Sequence, residues 1–229
     1  ARLAHPQSPR VHGDLSVHYM NNGALSSALK HLEILATLDP KARPATQIQT
    51  LVAHCMAEKP IPDQVYRDLE QRLALTKGTY LVSSLRTLAE VTAKGRCAQL
   101  DVKRFARIFG TWLQSFDRSK LQHKDIQHYW LMNVFFSQLL GTSGRPAQAF
   151  PYLDNAVAVQ PDRLEPEFIR IRYQLSLGRH EDAKQTLARL KQMDRGQRND
   201  FTATIAEYDN YLAFLDRERS QKAARPRAQ

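Results

Sequence analysis

Two cysteines, Cys55 and Cys97, are the residues of this 229-residue chain whose chemistry depends most on their neighbours. Such a pair can form one disulfide, or the two thiols can be buried separately as small hydrophobic side chains. A metal site is disfavoured, because no CxxC motif and no neighbouring histidine pair supplies four ligands. His123 and His128 are five residues apart, so they do not share a helix face as two ligands would need to. The sequence therefore predicts no metal site and no cofactor.

The motifs that mark common catalytic sites are missing from the sequence. There is no GxSxG nucleophile elbow, no HExxH zinc motif and no phosphate-binding P-loop. Nothing in the pattern pairs a nucleophile with a base that could activate it. We therefore expect that this chain is not an enzyme by itself, and leave open a catalytic membrane part in a longer protein.

Five aromatic residues in the middle of the chain could stack against a ligand or form a hydrophobic core. They are Trp112, Tyr129, Trp130, Phe135 and Phe136. Their helical spacing favours core packing. Tyr129 and Trp130 are adjacent, however, and adjacent residues of a helix point in different directions. We therefore expect one of these two side chains to be exposed in a groove.

Apolar residues recur at helical spacing through most of the chain, which predicts an all-α fold of about ten hairpin helices and a C-terminal capping helix. One pattern occurs twice, since Gly144 and Ala149 are followed at an offset of 34 residues by Gly178 and Ala183. A fixed period of this length is typical of helical-hairpin repeats. In these repeats the glycine permits the turn between the helices, and the alanine lets the helices approach closely.

A third copy of the pattern lies near the start of the chain, and its positions are those of a repeat signature. They are Leu15, Tyr19, Gly23, Ala28, Leu32 and Pro40, with His12 at the usual tryptophan position. The chain therefore resembles the tetratricopeptide repeat family. The resemblance implies an α-solenoid over residues 1–217, with hairpins near 9–40, 44–75, 79–116, 122–161 and 164–194 and a cap at 199–215. The middle hairpins lack the glycine and alanine of the repeat, so we expect them to be irregular.

The hairpin arrangement bears on the two cysteines. Cys55 lies near the end of the first helix of one hairpin, and Cys97 lies just after the first helix of the next. Because equivalent helices of neighbouring hairpins lie side by side, these ends should be close. A disulfide here would close a loop of about 40 residues and contribute roughly 4 kcal/mol in the chain-entropy model. Both the disulfide and two free thiols remain open, because the redox compartment decides between them.

The resemblance also implies a concave groove lined by the first helix of each hairpin. The residues expected to face this groove are Arg10, Val17, Asn21, Gln138, Phe168, Arg172 and Ser176. Their amide and guanidinium groups could bind a peptide backbone together with an acidic side chain or a terminal carboxylate. The alternative interpretation is a groove that is only solvated.

The formal charge of +10, from 33 Lys and Arg against 23 Asp and Glu, favours an anionic partner such as an acidic protein. A solvated basic surface explains the same charge. Nucleic acid is a weaker expectation, because nothing beyond the net charge supports it. Residues 218–229 contribute four basic side chains, Arg219, Lys222, Arg225 and Arg227, and are expected to form a basic disordered tail.

Two further stretches, 4–15 and 153–161, resemble the soluble C-terminal repeat domains of bacterial multi-pass membrane glycosyltransferases and oligosaccharide ligases. This resemblance implies a periplasmic or otherwise extracytoplasmic domain of a membrane protein. A cytoplasmic location is the alternative. No apolar run approaches the roughly 20 residues that span a bilayer, so membrane association would require a segment outside this sequence.

Three functional hypotheses follow from these patterns. The first is a non-catalytic interaction module that binds an extended peptide or a partner helix in its concave groove. The second is the extracytoplasmic domain of a glycosyltransferase-like membrane protein, which would recognise the acceptor protein or organise the complex. The third is a basic cytosolic scaffold that contacts nucleic acid. The sequence identifies neither the partner nor the oligomeric state.

Overall fold

The computed structural model describes residues 7–76, 81–196 and 201–224, and these residues contain eleven α-helices, two short 3-10 helices and no β-strand. The all-α prediction is therefore confirmed for this part of the chain. The chain divides into two compact units, the first ending at Val159 and the second beginning at Gln160. One continuous solenoid over residues 1–217 stays a prediction.

The first unit contains eight α-helices, α1 to α8. They are Pro9–Asn21, Leu25–Leu38, Arg43–Met56, Asp63–Ala74, Val82–Ala93, Val102–Gln114, His123–Thr142 and Pro146–Val159. The second unit contains α9 to α11, which are Glu165–Ser176, His180–Gly196 and Thr202–Ala224. These helices lie where the apolar spacing predicts them. The predicted helix starts at 79 and 199 fall outside the described residues.

Two helix starts follow from local sequence. Ser8 accepts a hydrogen bond from the backbone N–H of Val11 at 3.5 Å, and Pro9 occupies the first turn of α1, where its missing N–H has no cost. The Asp101 carboxylate accepts from the backbone N–H of Arg104 at 2.9 Å and caps α6. Both side chains therefore act as N-caps of their helices.

Five helices of the chain, α1, α3, α5, α7 and α9, end in the same way. Four of them are followed by a glycine in the left-handed region, at Gly23, Gly95, Gly144 and Gly178, with φ between 69° and 74°. The next residue donates its N–H to a carbonyl five residues back, as Arg179 does to Gln174 at 2.8 Å. This is the hydrogen-bond pattern of a Schellman cap. We call this arrangement the left-handed cap.

The left-handed cap of α3 uses a residue other than glycine. Glu58 has a φ of 53°, and the N–H of Lys59 donates to the carbonyl of His54 at 3.0 Å. The turn of the repeat therefore recurs in the middle of the chain, where the sequence does not show it. The repeated feature is the left-handed backbone conformation, and glycine is the residue that adopts it with the least strain.

In the first unit, helices pack against their sequence neighbours and against helices two positions away. Close pairs include α1 with α2 and α7 with α8, while α3 contacts α5, α5 contacts α7 and α4 contacts α6. Ala28 and Ala149 are fully buried in α2 and α8, where the absence of a larger side chain permits the close approach. The backbones of α5 and α6 form no such close pair. The predicted hairpin near 79–116 is therefore open in its described part.

Aromatic side chains fill the space beside α6, where α5 does not pack closely against it. The ring of Phe136 on α7 lies 5.0 Å from that of Phe109 on α6 and 4.6 Å from that of Tyr152 on α8. A Cβ atom built on Gly110 would collide with the Tyr152 hydroxyl. Gly110 therefore provides the room that the Tyr152 side chain occupies, and the predicted core role of the aromatic residues is confirmed for this cluster.

The prediction that Tyr129 or Trp130 is exposed is wrong. Both side chains are buried, with exposed fractions of 1% and 3%. Their helix, α7, packs against both α5 and α8, so more than one of its faces is buried. Adjacent residues of a helix can both be buried when the helix is enclosed in this way.

The second unit has its own core, in which α10 contacts both α9 and α11. Ile171, Ala183, Leu187 and Ile205 are buried at its centre. Helix α11 extends to Ala224, beyond the predicted end of the cap at 215. Residues 218–224 of the predicted tail are helical in the structure, and they contain no glycine or proline and several good helix formers. Residues 225–229 lie outside the described part.

Candidate functional site

Four of the predicted groove residues belong to the first unit. Arg10, Val17 and Asn21 are exposed on α1, and the exposed fraction of Val17 is 45%. Gln138 is half-buried on α7. The three α1 side chains form an accessible strip, and their role in a groove stays a prediction.

The residue at the usual tryptophan position is part of a buried polar contact. The Nδ1 atoms of His12 and His31 are 2.9 Å apart, and both side chains are buried. The ring of Tyr19 stacks on that of His31 at a centroid distance of 5.4 Å. Three stacked or hydrogen-bonded rings therefore fill the α1–α2 hairpin where the repeat family places an indole.

The other predicted groove residues, Phe168, Arg172 and Ser176, lie on α9 in the second unit. The Phe168 ring is half-buried and lies 5.3 Å from the ring of Phe201 and 6.1 Å from that of Tyr208. The Ser176 hydroxyl donates to the backbone carbonyl of Tyr173 at 2.9 Å. Phe168 thus takes part in the packing between α9 and α11, whereas Arg172 remains exposed.

Arg172 lines a cavity of about 450 Å³ between α9 and α11. The residues around this cavity are Arg172, Leu175, Thr204, Glu207, Tyr208 and Tyr211. We call it the α9–α11 cavity. Half of the Tyr211 side chain is exposed at its edge. The cavity therefore combines one guanidinium, one carboxylate and two phenol rings with an apolar side chain.

Most of the basic side chains described in the second unit form ion pairs with carboxylates, but Arg172 does not. Arg170 is paired with the buried Glu167 at 2.8 Å, Arg179 with Asp182 at 2.6 Å. Lys184 pairs with Glu181 and Asp216, and Lys191 pairs with Asp209. Arg172 has no carboxylate within 4.0 Å among the described residues. Its charge is therefore available to a ligand that enters the cavity.

Burial is the main cause of the raised pKa values of the tyrosines near Arg172. It raises the pKa of Tyr208, against the opposing effect of the Arg172 charge. It also raises the pKa of Tyr173 to about 12. Both phenols are therefore neutral near pH 7, and the Tyr208 hydroxyl keeps its proton beside the cavity.

In the first unit, the two cysteines are joined. The structure contains a disulfide between Cys55 and Cys97, whose Cα atoms are 4.6 Å apart and whose side chains are buried. The Gln99 side-chain amide donates to the carbonyls of His54 and Cys55 at 3.0 and 3.2 Å. The loop before α6 is therefore attached to the end of α3 by a covalent bond and two hydrogen bonds. Burial lowers the pKa of His54, and a hydrogen bond with the backbone of Pro60 partly opposes this shift.

A second set of contacts attaches α6 to α4. The Arg104 guanidinium forms an ion pair with Asp63 and lies 4.9 Å from the ring centre of Tyr66. The hydrogen bond from Arg104 lowers the pKa of Asp63. The Tyr66 hydroxyl accepts from the backbone N–H of Asp101 at 2.8 Å. These contacts attach α6 to α4 at the surface of the first unit.

Sequence reasoning missed most of the α9–α11 cavity. Of its lining residues, only Arg172 was predicted as a site residue, and Thr204, Glu207, Tyr208 and Tyr211 were not singled out. A signal was present, because Thr204, Glu207 and Tyr211 follow one another at spacings of three and four, which places them on one helix face. That face lies beside the one formed by Ile205, Tyr208 and Leu212, so α11 carries two adjacent stripes.

The described residues show no group of three or more His, Cys, Asp and Glu side chains that could hold a metal ion. His123 and His128 are both exposed on α7. In the same part of the chain, no helix is both long enough and apolar enough to cross a lipid bilayer.

No protein-family model, no curated protein and no solved structure matches this chain.

Proposed function

We propose that the chain is a non-catalytic interaction module of the tetratricopeptide repeat type, in which helical hairpins stack as a solenoid within each unit. The contacts of α3 with α5, of α5 with α7 and of α4 with α6 in the first unit support the stacking. So does the left-handed cap that ends α1, α3, α5, α7 and α9. A module of this kind presents long helix faces to a partner and needs no deep pocket.

The observation that carries the proposal is the guanidinium of Arg172, which lines the α9–α11 cavity and has no carboxylate within 4.0 Å in the described part of the chain. Tyrosine and arginine are the residue types most enriched where binding energy concentrates at interfaces, and here Tyr208 and Tyr211 flank the arginine. A partner would place a carboxylate on Arg172 and an apolar side chain against Leu175 and the Tyr211 ring. We therefore propose an extended peptide or partner helix with an acidic residue beside an apolar one.

A phage-displayed library of random decapeptides tests this function. Peptides selected on the unaltered protein should be enriched in acidic residues next to apolar or aromatic ones. The affinity of the best synthetic peptide is then measured by fluorescence anisotropy. Arg172→Glu should weaken it by a factor of ten or more, since losing a hydrogen bond to a charged group costs about 1.5–3 kcal/mol.

Arg217→Glu is the matched control, because Arg217 is also exposed in the second unit but does not line the cavity. It makes the same change in net charge and should leave the affinity unaltered. Tyr211→Ala provides an uncharged variant of the cavity, which should also weaken binding. Selected peptides that bind the Arg172→Glu and unaltered proteins equally well would remove the cavity from the proposal.

The second candidate function is the extracytoplasmic domain of a glycosyltransferase-like membrane protein, which recognises the acceptor protein or organises the complex. The disulfide between Cys55 and Cys97 favours it, because such bonds persist mainly in oxidising compartments. The thiols of protein purified from its native host would be counted under denaturing, non-reducing conditions. No free thiol is expected, and two free thiols would remove the argument for this location.

A further inference from the structure

The first unit contains a polar cavity of about 490 Å³ that is lined by α2, α3 and α4 and open to solvent on one side. Its lining residues are Leu29, Leu32, Glu33, Ala36, Thr37, Arg43, Thr46, Gln47, Thr50, Val65, Asp68 and Arg72. Three of these are apolar side chains larger than alanine, and most of the others can form hydrogen bonds. We call it the α2–α4 cavity. Its volume lies within the range of sites that hold small molecules.

One side chain of the α2–α4 cavity has a buried nitrogen atom that lacks a hydrogen-bond acceptor among the described residues. The Nη1 atom of Arg72 is buried and has no hydrogen-bond partner among the described residues. A buried charged donor without an acceptor is costly, so an oxygen atom from outside the chain would stabilise it. Asp68, one turn earlier on α4, forms no ion pair with Arg72 among the described residues, and its Oδ1 atom accepts a hydrogen bond from the Gln64 amide at 2.6 Å.

A second guanidinium is held at the same cavity. The Nε atom of Arg43 donates to the backbone carbonyl of Ala36 at 2.9 Å, and both residues line the cavity. This bond tethers the Arg43 side chain to the end of α2 and leaves its terminal nitrogens for other partners. Two guanidiniums at one cavity are the groups that best bind a carboxylate or a phosphate.

The remaining polar groups of the cavity favour a ligand that also donates hydrogen bonds. The hydroxyls of Thr37, Thr46 and Thr50 each donate to a backbone carbonyl of their own helix turn, at 3.0, 2.7 and 2.9 Å. With their protons engaged, these oxygens can only accept. The carboxylates of Glu33 and Asp68 add negative charge. The cavity thus offers donors from arginines and acceptors from threonines and carboxylates.

We propose that the α2–α4 cavity binds a small zwitterion, a free α-amino acid, with its carboxylate on Arg72 and Arg43 and its ammonium among Asp68, Glu33 and the threonine oxygens. The two arginines and two carboxylates balance, which suits a ligand without net charge better than a simple anion. This site lies in the first unit and does not depend on the partner groove. The apolar side chains Leu29, Leu32 and Val65 provide a surface for the side chain of the amino acid.

The test begins with a thermal-shift screen of each standard L-amino acid on the unaltered protein, because a ligand that binds only the folded state raises the melting temperature. The best amino acid is then compared by isothermal titration calorimetry with its N-acetyl derivative, its carboxamide and inorganic phosphate. The N-acetyl derivative lacks the ammonium, and the carboxamide lacks the carboxylate. Each should bind at least ten times more weakly than the free amino acid.

Arg72→Gln should weaken binding of the amino acid at least tenfold. Arg67→Gln is the matched control on the same helix, because Arg67 is exposed, paired with Asp63 and outside the cavity, and it should leave affinity unaltered. If Arg72→Gln does not fold, Asp68→Asn serves instead. This variant should bind the free amino acid more weakly and should bind the N-acetyl derivative with unchanged affinity. Absence of any melting shift, or equal affinity for the N-acetyl derivative or phosphate, would overturn the proposal.

Discussion

The α7–α8 hairpin and the α5–α6 section of the first unit hold their helices in place by different means. Between α7 and α8 the backbones lie close, because the left-handed cap at Gly144 turns the chain and the buried Ala149 leaves room for the neighbouring helix. The backbones of α5 and α6 are not a close pair. There the loop before α6 is fixed by the Cys55–Cys97 disulfide and by Gln99, and aromatic rings fill the space.

The contrast shows that a helical hairpin can be closed by small residues or braced by contacts with other elements. Small residues act through shape alone and leave a signature in the sequence. Braces join residues far apart in sequence, as Cys55 is from Cys97, and they leave almost none. Removing either kind of contact by mutation should therefore separate the two regions by the size of the effect on stability.

The largest expected effect is the loss of the disulfide brace. Replacing Cys55 and Cys97 together by alanine should lower the free energy of unfolding by roughly 4 kcal/mol, because the unfolded chain regains the entropy of a long loop. Urea denaturation of the double variant measures the change. The unaltered protein in a reducing buffer should behave like the double variant. A loss below about 1 kcal/mol would mean that Gln99 and the aromatic rings hold this section without the disulfide.

The next effect tests the aromatic packing of α6. Gly110→Ala should lower the free energy of unfolding by about 1–2 kcal/mol, because the added methyl group collides with the Tyr152 hydroxyl. Gly13→Ala on α1 is the matched control, since its Cβ would meet only Leu35 at 3.8 Å. That change should be neutral or stabilise the helix.

Combining Gly110→Ala with Tyr152→Phe isolates the collision. If the hydroxyl is the obstacle, the double variant should recover part of the loss, and the two changes should be non-additive in thermal unfolding. Strictly additive effects would contradict the packing described for Phe136 and Tyr152.

The smallest effect compares the left-handed caps of α7 and α3. Gly144→Ala should lower the free energy of unfolding by about 1 kcal/mol, because an L-residue is strained at a φ of 74° and no other atom crowds the site. Glu58→Gly should raise it by up to about 1 kcal/mol, since the same strain is already present at 53°. Equal and opposite shifts in the urea midpoint are expected. A destabilised Glu58→Gly protein would show that the Glu58 side chain contributes more than its backbone strain costs.

The sequence predicts the helices well where local signals specify them. Gly144 and Gly178 adopt the predicted turn, and Ser8 and Asp101 cap their helices, because these roles depend on a few neighbouring residues. The left-handed cap at Glu58 escaped prediction, because the residue type argues against the conformation. The packing around it imposes a backbone that local preference does not indicate.

The errors arise where burial depends on distant elements. Tyr129 and Trp130 are both buried because α5 and α8 enclose α7, which the pattern of one helix does not reveal. The same limit applies to the two cavities. Arg172 was singled out, but the Tyr211 that borders it lies on another helix. The unmet hydrogen bond of Arg72 is a property of the packed structure alone.

The disulfide also has a mechanical consequence. Cys55 and Cys97 are 42 residues apart in sequence but only 4.6 Å apart at their Cα atoms. A force that pulled on the two ends of the chain would pass through the sulfur bridge and would not stretch the segment between the cysteines. Roughly 140 Å of contour length would stay hidden, from the reach of about 3.4 Å per extended residue. Helices α4 and α5 would then carry no tension, while α1, α2 and the helices from α6 onward would be drawn out.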